Sequence, residues 1–562
     1  MSNNKCNLIA PPNLPRRTFV KGAMAGSVLL GLGHTGAAQS QAYSAAAKTN
    51  TLTGNEFDLT VGETPVNFTG QQRMATTING SLPGPTLVWR EGETVTIRVT
   101  NTLSVPTSIH WHGILLPFEM DGVPSISYTG IGPGETFTYQ FTVKQSGTYW
   151  YHSHTGFQEM TGMFGSIIIV PKKGEKISTD QDMVVQLSDW TDDDPMSVFA
   201  HLKQQSDYYN YNQPTARDFF NDMSRYGMGQ AIAMRKMWNE MRMSPTDLAD
   251  LSAETFTFLM NGHSPNSNWT GIFKPGETIR LRFINGSSNT FFDVCIPGLK
   301  LTVVSADGQD VEPVSIDEFR FGPGETYDVI VKPTNDAHSI FAQSMDRSGY
   351  TRGTLAVKQG LTASVPNVDE PVWLAMKDMM GEMSHGSADD SSQGNNMSGM
   401  DMSDDHSAMT HERIGHGGMA HGGMAMDHSK HNMQQNPLAV PSQSVNHASS
   451  EYGPSVDARV AMPRTNLDDP GIGLRNNGRR VLTLADLKTI GGPLDPRLPE
   501  REIELHLTGN MERYTWSFDG LEFGKSTPVH FRYGERVRVI LQNDTMMTHP
   551  MHMHGVWSEL EN

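Results

Sequence analysis

The sequence predicts an all-β chain of tandem Greek-key sandwiches. Three observations carry that reading. The composition, with Gly 54 and Pro 32 among 562 residues, suits many short strands bounded by turns. One strand pattern recurs three times, as Gly92-Glu93-Thr94-Val95-Thr96-Ile97-Arg98-Val99-Thr100-Asn101, Gly276-Glu277-Thr278-Ile279-Arg280-Leu281-Arg282-Phe283-Ile284-Asn285 and Gly534-Glu535-Arg536-Val537-Arg538-Val539-Ile540-Leu541-Gln542-Asn543. Each copy opens with a turn and then alternates apolar with polar residues, as a half-buried strand does. Shorter repeats accompany the first two copies: Gly132-Pro133-Gly134-Glu135 matches Gly322-Pro323-Gly324-Glu325, and the closing strand Phe164-Gly165-Ser166-Ile167-Ile168-Ile169-Val170 matches Arg352-Gly353-Thr354-Leu355-Ala356-Val357. The chain is long enough for three domains, and three related sandwiches in tandem explain the repetition.

In chain order, residues 1–42 read as a targeting segment. Pro15-Arg16-Arg17-Thr18-Phe19-Val20-Lys21 is a twin-arginine signature, followed by the apolar stretch 22–33 and small residues over 37–42. That apolar stretch is too short to span a bilayer, and no later stretch is suited to crossing one. A mature chain beginning near residue 43 and exported to the bacterial periplasm is expected. Residues 50–172 form the first sandwich, and 178–361 the second, which carries a helical Met-rich insertion. Residues 370–450 are a disordered, Met/His-rich flexible segment, and 451–562 are a linker with the N-terminal part of a third sandwich.

The repeat spacing supports this division. Glu93 and Glu277 are 184 residues apart, whereas Glu277 and Glu535 are 258 apart. Most of the excess is the stretch 376–447, rich in Met, His, Gly, Ser and Asp and without usable periodicity. In the first sandwich His152 follows Glu93 by 59 residues; the same ruler laid from Glu535 reaches about residue 594, past Asn562. The third sandwich is therefore expected to be truncated.

Composition also excludes classes of function. Lys+Arg 43 against Asp+Glu 61 gives a formal net charge of -18, which argues against nucleic acid as a partner. The acidity suits either a handler of cations or simple solubility. Of the two cysteines, Cys6 lies in the targeting segment, so Cys295 is left alone and no intramolecular disulfide is expected.

The residues that carry chemistry are three His-x-His pairs: His110-Trp111-His112-Gly113, His152-Ser153-His154, and His549-Pro550-Met551-His552-Met553-His554-Gly555. Residues two apart on a strand share a face, so three strands would aim six imidazoles at one metal cluster. Imidazole accepts copper, zinc, iron or nickel, so His alone leaves the metal open.

On these motifs the chain resembles the multicopper oxidases, and the resemblance implies that the sandwiches are cupredoxin-like domains. It implies copper as cofactor, with His110 and His552 on the type 2 ion, His112, His152, His154 and His554 on the type 3 pair, and His549 on the mononuclear type 1 ion. The family's fourth motif, a His-Cys-His followed by a further His and a Met, is absent here. Cys295 lies in the middle repeat and reads as a small core residue. The type 1 site is thus incomplete, and a chain lacking it should not turn over. Asp121, in Glu119-Met120-Asp121-Gly122, matches the family's carboxylate near the type 2 copper, where it would relay protons or orient water; a turn-forming Asp-Gly is the alternative.

Two methionine clusters extend the copper theme. Within 376–431 lie Met376, Met379, Met380, Met383, Met397, Met400, Met402, Met409, Met419, Met424 and Met426, interspersed with seven histidines. Thioether favours Cu(I), so this stretch reads as a copper collector, against the alternative of an inert linker. Met234, Met237 and Met241 mark one helical face near Trp238, either core packing or a Cu(I) site on the substrate side. Together with Leu187-Ser188-Asp189-Trp190-Thr191-Asp192, Thr290-Phe291-Phe292-Asp293-Val294 and Thr545-Met546-Met547-Thr548-His549-Pro550, these features are similar to the bacterial copper-resistance branch of the family, the copper resistance protein A type.

The resemblance implies a periplasmic oxidase that converts Cu(I) to Cu(II), with phenols as further substrates, while reducing dioxygen to water. Its partners would be copper ions, dioxygen and periplasmic copper-handling proteins. The alternative is a non-catalytic periplasmic protein that sequesters copper. A two-domain copper nitrite reductase is disfavoured by the three repeats.

Overall fold

The structure is a computed structural model that describes residues 51–240, 242–374, 378, 441, 444–460 and 465–561. The expected targeting segment 1–42, Met241 and most of the Met/His-rich segment 370–450 lie outside the described residues. No helix among those described is long and apolar enough to cross a membrane.

The first sandwich stacks two sheets. One runs in the order Thr51–Thr53, Thr86–Arg90, Phe164–Val170, Gly147–His152, His110–His112, and the other in the order Arg73–Ile78, Glu56–Val66, Thr94–Asn101, Thr136–Thr142. The first of the repeated strands shows why the fold forms. Along Thr94–Asn101 every second residue is buried, which puts Val95, Ile97 and Val99 into one core with Phe57, Leu59, Trp89, Tyr139 and Ile167.

The second sandwich repeats the plan with a sheet ordered Thr257–Met260, Gln181–Trp190, Ile279–Asn285, Thr326–Val331, Leu301–Ala306, Gln309–Ile316. It faces Trp269–Ile272, Tyr350–Ala356, Ala337–Ser344, Phe292–Cys295, Glu318–Phe321. Between its strands runs the predicted helical insertion, Pro195–Leu202, Ala216–Tyr226 and Met228–Glu240. Thr215 and Asp218 cap the middle helix reciprocally, and Asp222 pairs with Arg235 at 2.6 Å to join it to the next. On that last helix Trp238 is buried while Met234 and Met237 are half-buried.

The first two sandwiches meet along a seam. Trp150 and Phe164 of the first pack with Trp190, Leu259 and Ile284 of the second. Thr148 donates to Asp328 at 2.7 Å and accepts from Arg282 at 2.8 Å, and Arg282 also pairs with Asp328 and Asp182. Backbones touch at Gly147, where a Cβ would stand 2.4 Å from the carbonyl oxygen of Gly308.

In the third repeat the described strands form one three-stranded sheet, Thr515–Phe518, Arg501–Asn510, Val537–Asn543. Around it Phe523 and Tyr533 are fully exposed. The irregular stretch after the helical insertion holds its last loop in place: the Thr548 N–H donates to the Leu248 carbonyl at 3.1 Å.

Candidate metal centre

The pleat explains the first pair. On His110–His112 the central Trp111 points into the first core, so His110 and His112 emerge on the opposite face. The neighbouring strand Gly147–His152 is antiparallel, in a register that sets His110 opposite His152 and His112 opposite Trp150. Tyr149 and Tyr151 enter the core, which sends Trp150 and His152 to the side of the two histidines. Trp150 stacks on His152 at 4.2 Å between ring centroids, fixing that imidazole.

The expectation that every pair sits on a strand needs correction. His152 ends its strand and His154 follows it, while 549–555 form an irregular loop after Val537–Asn543. Pro550 has no N–H to give to a ladder, so the third motif cannot continue as a paired strand.

The loop nonetheless carries its imidazoles to the first two pairs. His552 stacks on His112 at 3.8 Å, and His554 lies 4.2 Å from His110 and 4.9 Å from His154. His154 lies 5.5 Å from His110. Two triplets of ring nitrogens lie within 4.8 Å of one another, His110 with His552 and His554, and His110 with His112 and His152. His110 belongs to both. The Trp557 indole closes the arrangement by donating to the Gly113 carbonyl at 3.2 Å.

Hydrogen bonds outside the cluster fix which nitrogens face inward. The Asp121 carbonyl accepts from His110 Nδ1 at 2.7 Å, and Asp121 Oδ2 accepts from His554 Nδ1 at 3.0 Å. His152 Nδ1 faces the Ser153 carbonyl and Glu159 Oε2, each at 3.1 Å. Such outer carbonyl and carboxylate partners orient histidine ligands in metal sites. His110 Nε2, by contrast, is buried with no hydrogen-bond partner, an arrangement that a metal ion would resolve. His152 Nε2 and His112 Nδ1 face each other at 3.4 Å.

Electrostatics agree with neutral imidazoles. Desolvation and repulsion between neighbouring rings push His154 and His552 down to about 3 and His112 well below its ordinary value. Desolvation would raise Asp121, but hydrogen bonds from His110 and His554 outweigh it and hold this carboxyl well below the usual carboxylate range. Asp121 therefore stays ionised beside the cluster. The turn reading of Asp121-Gly122 is also met: Gly122 has φ 82, and a Cβ there would lie 1.8 Å from the Ile109 carbonyl oxygen.

His549 stands apart from both triplets. Its Nδ1 is 2.6 Å from Asp250 Oδ2, and its ring lies 4.4 Å from Trp516. Cys295 is buried in the second sandwich among Glu318, Arg479 and Asp293, and burial pushes its thiol up to about 12. Among the described residues no metal-type group contains Cys295 or His549. Sequence reading missed Glu159, Trp150 and Asp250 because each acts through a neighbour in space rather than through a spacing.

A chain of cupredoxin-like sandwiches with clustered imidazoles at a seam defines a class, and comparison with known proteins gives the same one. Family profiles described as Multicopper oxidase match residues 60–174, 181–367 and 496–562. The chain belongs to the multicopper oxidase family, oxidoreductases whose cofactor is copper. Within that family it is 56% identical to Copper resistance protein A of Pseudomonas syringae pv. tomato and 54% identical to Copper resistance protein A of Escherichia coli. Each match covers 97% of this chain and 90% of the relative. These relatives mark it as a copper-resistance multicopper oxidase. Among solved structures, the multicopper oxidase Fet3p, which functions in iron import, overlays with a TM-score of 0.45 at 24% identity, covering 57% of this chain and 55% of that one.

Proposed function

We propose that His110, His112, His152, His154, His552 and His554 hold the clustered coppers of a periplasmic copper oxidase whose physiological substrate is Cu(I). The observation that carries this reading is the shared position of His110, whose orphaned buried Nε2 points where two imidazole triplets overlap. Copper supplies one-electron steps, four of which reduce dioxygen to water. The protein supplies desolvated imidazole nitrogens, with the rings of His110, His152 and His554 fixed by carbonyl and carboxylate partners.

Asp121 acts by position. Its Oδ2 accepts from His554 Nδ1 and its carbonyl from His110 Nδ1, so it holds both rings in place. His549 is the type 1 ligand in this proposal, with its ring set by Asp250 and Trp516. Export by the twin-arginine signature of residues 1–42 places this work in the periplasm, where other copper-handling proteins and phenols come within reach.

A second reading is copper sequestration without turnover: among the described residues Cys295 is the one free cysteine, buried and outside any metal-type group with His549. The deciding experiment loads the full chain with copper and measures dioxygen uptake with Cu(I) as reductant, alongside copper retained per chain. Uptake supports the oxidase. Tight copper retention without uptake supports sequestration.

A further inference from the structure

A second group of ligand-type side chains sits at the third sheet and shares no residue with the imidazole cluster. It consists of His447, Glu451, His506 and Asp544, whose ligand-type atoms all lie within 4.8 Å of one another. His506 stands on Arg501–Asn510, Asp544 follows Val537–Asn543, and Glu451 lies in the short helix Ser449–Tyr452 just after His447. Glu451, His506 and Asp544 are fully buried.

Every outward atom of this group has a partner of its own. Glu451 Oε1 accepts from the Ala448 N–H at 2.7 Å, and Asp544 Oδ1 accepts from the Val460 N–H at 3.1 Å. His447 Nε2 donates to the Val460 carbonyl at 2.9 Å, and His506 Nε2 faces Glu504 Oε1 at 3.0 Å. The inward atoms are left facing one another. His447 Nδ1 is 2.6 Å from Glu451 Oε2 and 3.6 Å from Asp544 Oδ2. His506 Nδ1 is 3.4 Å from Glu451 Oε2 and 3.1 Å from Asp544 Oδ2. A carbonyl only accepts, so His447 Nε2 carries a proton, and in a neutral ring its Nδ1 is a lone pair aimed at carboxylate oxygens. His506 has a carboxylate on each ring nitrogen, Asp544 at Nδ1 and Glu504 at Nε2, so the two buried carboxylates of this space call for positive charge between the rings, which a proton or a cation supplies.

We propose that this group is a structural site for a divalent transition-metal cation of zinc type, bound by His447 Nδ1, His506 Nδ1, Glu451 Oε2 and Asp544 Oδ2. Two carboxylates and two neutral imidazoles balance a dication. Both rings already give their other nitrogen to a carbonyl or carboxylate, the outer partners that zinc-bound histidines have. Bonds of about 2.0–2.2 Å in a tetrahedron separate ligand atoms by roughly 3.3–3.6 Å, close to three of the four spacings here. The closest approach, His447 to Glu451, would open on binding. The ion would pin the chain arriving from the Met/His-rich stretch to two strands of the third sheet. Its role is to order that sheet, whatever the imidazole cluster does.

The test uses the full chain, stripped by a strong chelator and given zinc(II) alone. Zinc per chain after gel filtration is compared between the natural protein, H506Q and E451Q, with thermal melting of each. The natural protein should hold one more zinc than either variant and should melt higher with zinc than without, a rise that both variants lack. Equal zinc contents together with a zinc-independent melt would overturn the proposal and leave a proton-bridged network in its place. Should the variants fail to fold, anomalous diffraction at the zinc edge from crystals of the natural protein decides. A peak between the four side chains supports the site, and a peak-free cluster overturns it.

Discussion

His554 Nδ1 donates to Asp121 Oδ2 at 3.0 Å, although the two residues are 433 positions apart. The same Asp121 takes the His110 proton on its backbone carbonyl. One residue in the loop after the first motif thus orients imidazoles from both ends of the chain.

Replacing Asp121 by Ala removes the acceptor for His554 and leaves the His110 contact to the backbone. Loss of such an outer partner costs about 10–100-fold in metal affinity. Competition with a chromophoric copper chelator measures it, and unchanged affinity would show that Asp121 orients nothing.

His110 belongs to both nitrogen triplets, whereas His549 belongs to neither. H110A should therefore release copper from both triplets, while H549A should leave the clustered copper in place. Copper per chain after a chelator challenge, with the paramagnetic resonance of the type 2 ion, separates the two outcomes.

Gly122 reaches closer to Ile109 than any side chain permits. G122A should push the Asp121 carbonyl off His110 and lower copper affinity as far as D121A does, without removing a charge. A variant that binds copper normally would mean the loop has another path.

The metal-free protein should weaken in acid through its imidazoles. His154 and His552 sit at about 3 in the fold against an ordinary 6.5, so the unfolded chain binds more protons between those values. Their contribution is present above about 6.5 and is lost as pH falls toward about 3. Denaturant midpoints across that window should fall less steeply in H154N/H552N than in the natural protein. Equal slopes would remove these rings as the cause.

Asp293 lies fully buried between Arg320, at 2.7 Å, and Arg347, at 2.6 Å. Burial would raise its carboxyl, but the two guanidinium groups hold it below its ordinary value. D293N leaves the buried Arg347 and the half-buried Arg320 short of their carboxylate and should destabilise the second sandwich by about 3–5 kcal/mol in denaturant unfolding.

Much of this was legible in residue order. The strand alternation of 94–101 carried the sandwich plan because it depends on a period of two residues, whereas 279–285, expected to be half-buried, is buried on both faces, where Trp150 and Phe164 of the first sandwich cover Ile284. The His-x-His spacing marked imidazoles that the structure brings together. The reading of His549–His554 as strand went astray, since a proline and a loop reach the same place by a different route. Glu159, Trp150 and Asp250 left no trace, because a hydrogen bond or a stacked ring between distant residues imposes no spacing on the sequence.

By itself the sequence determined which residues carry imidazole nitrogens and which faces are apolar, properties fixed by residue type and local pleat. Only the tertiary structure decided that His110 is common to both triplets, that Asp121 serves His110 and His554 together, and that His447, Glu451, His506 and Asp544 converge. Those are matters of register and packing between segments far apart in the chain, where a displacement of a few ångströms makes or breaks the contact.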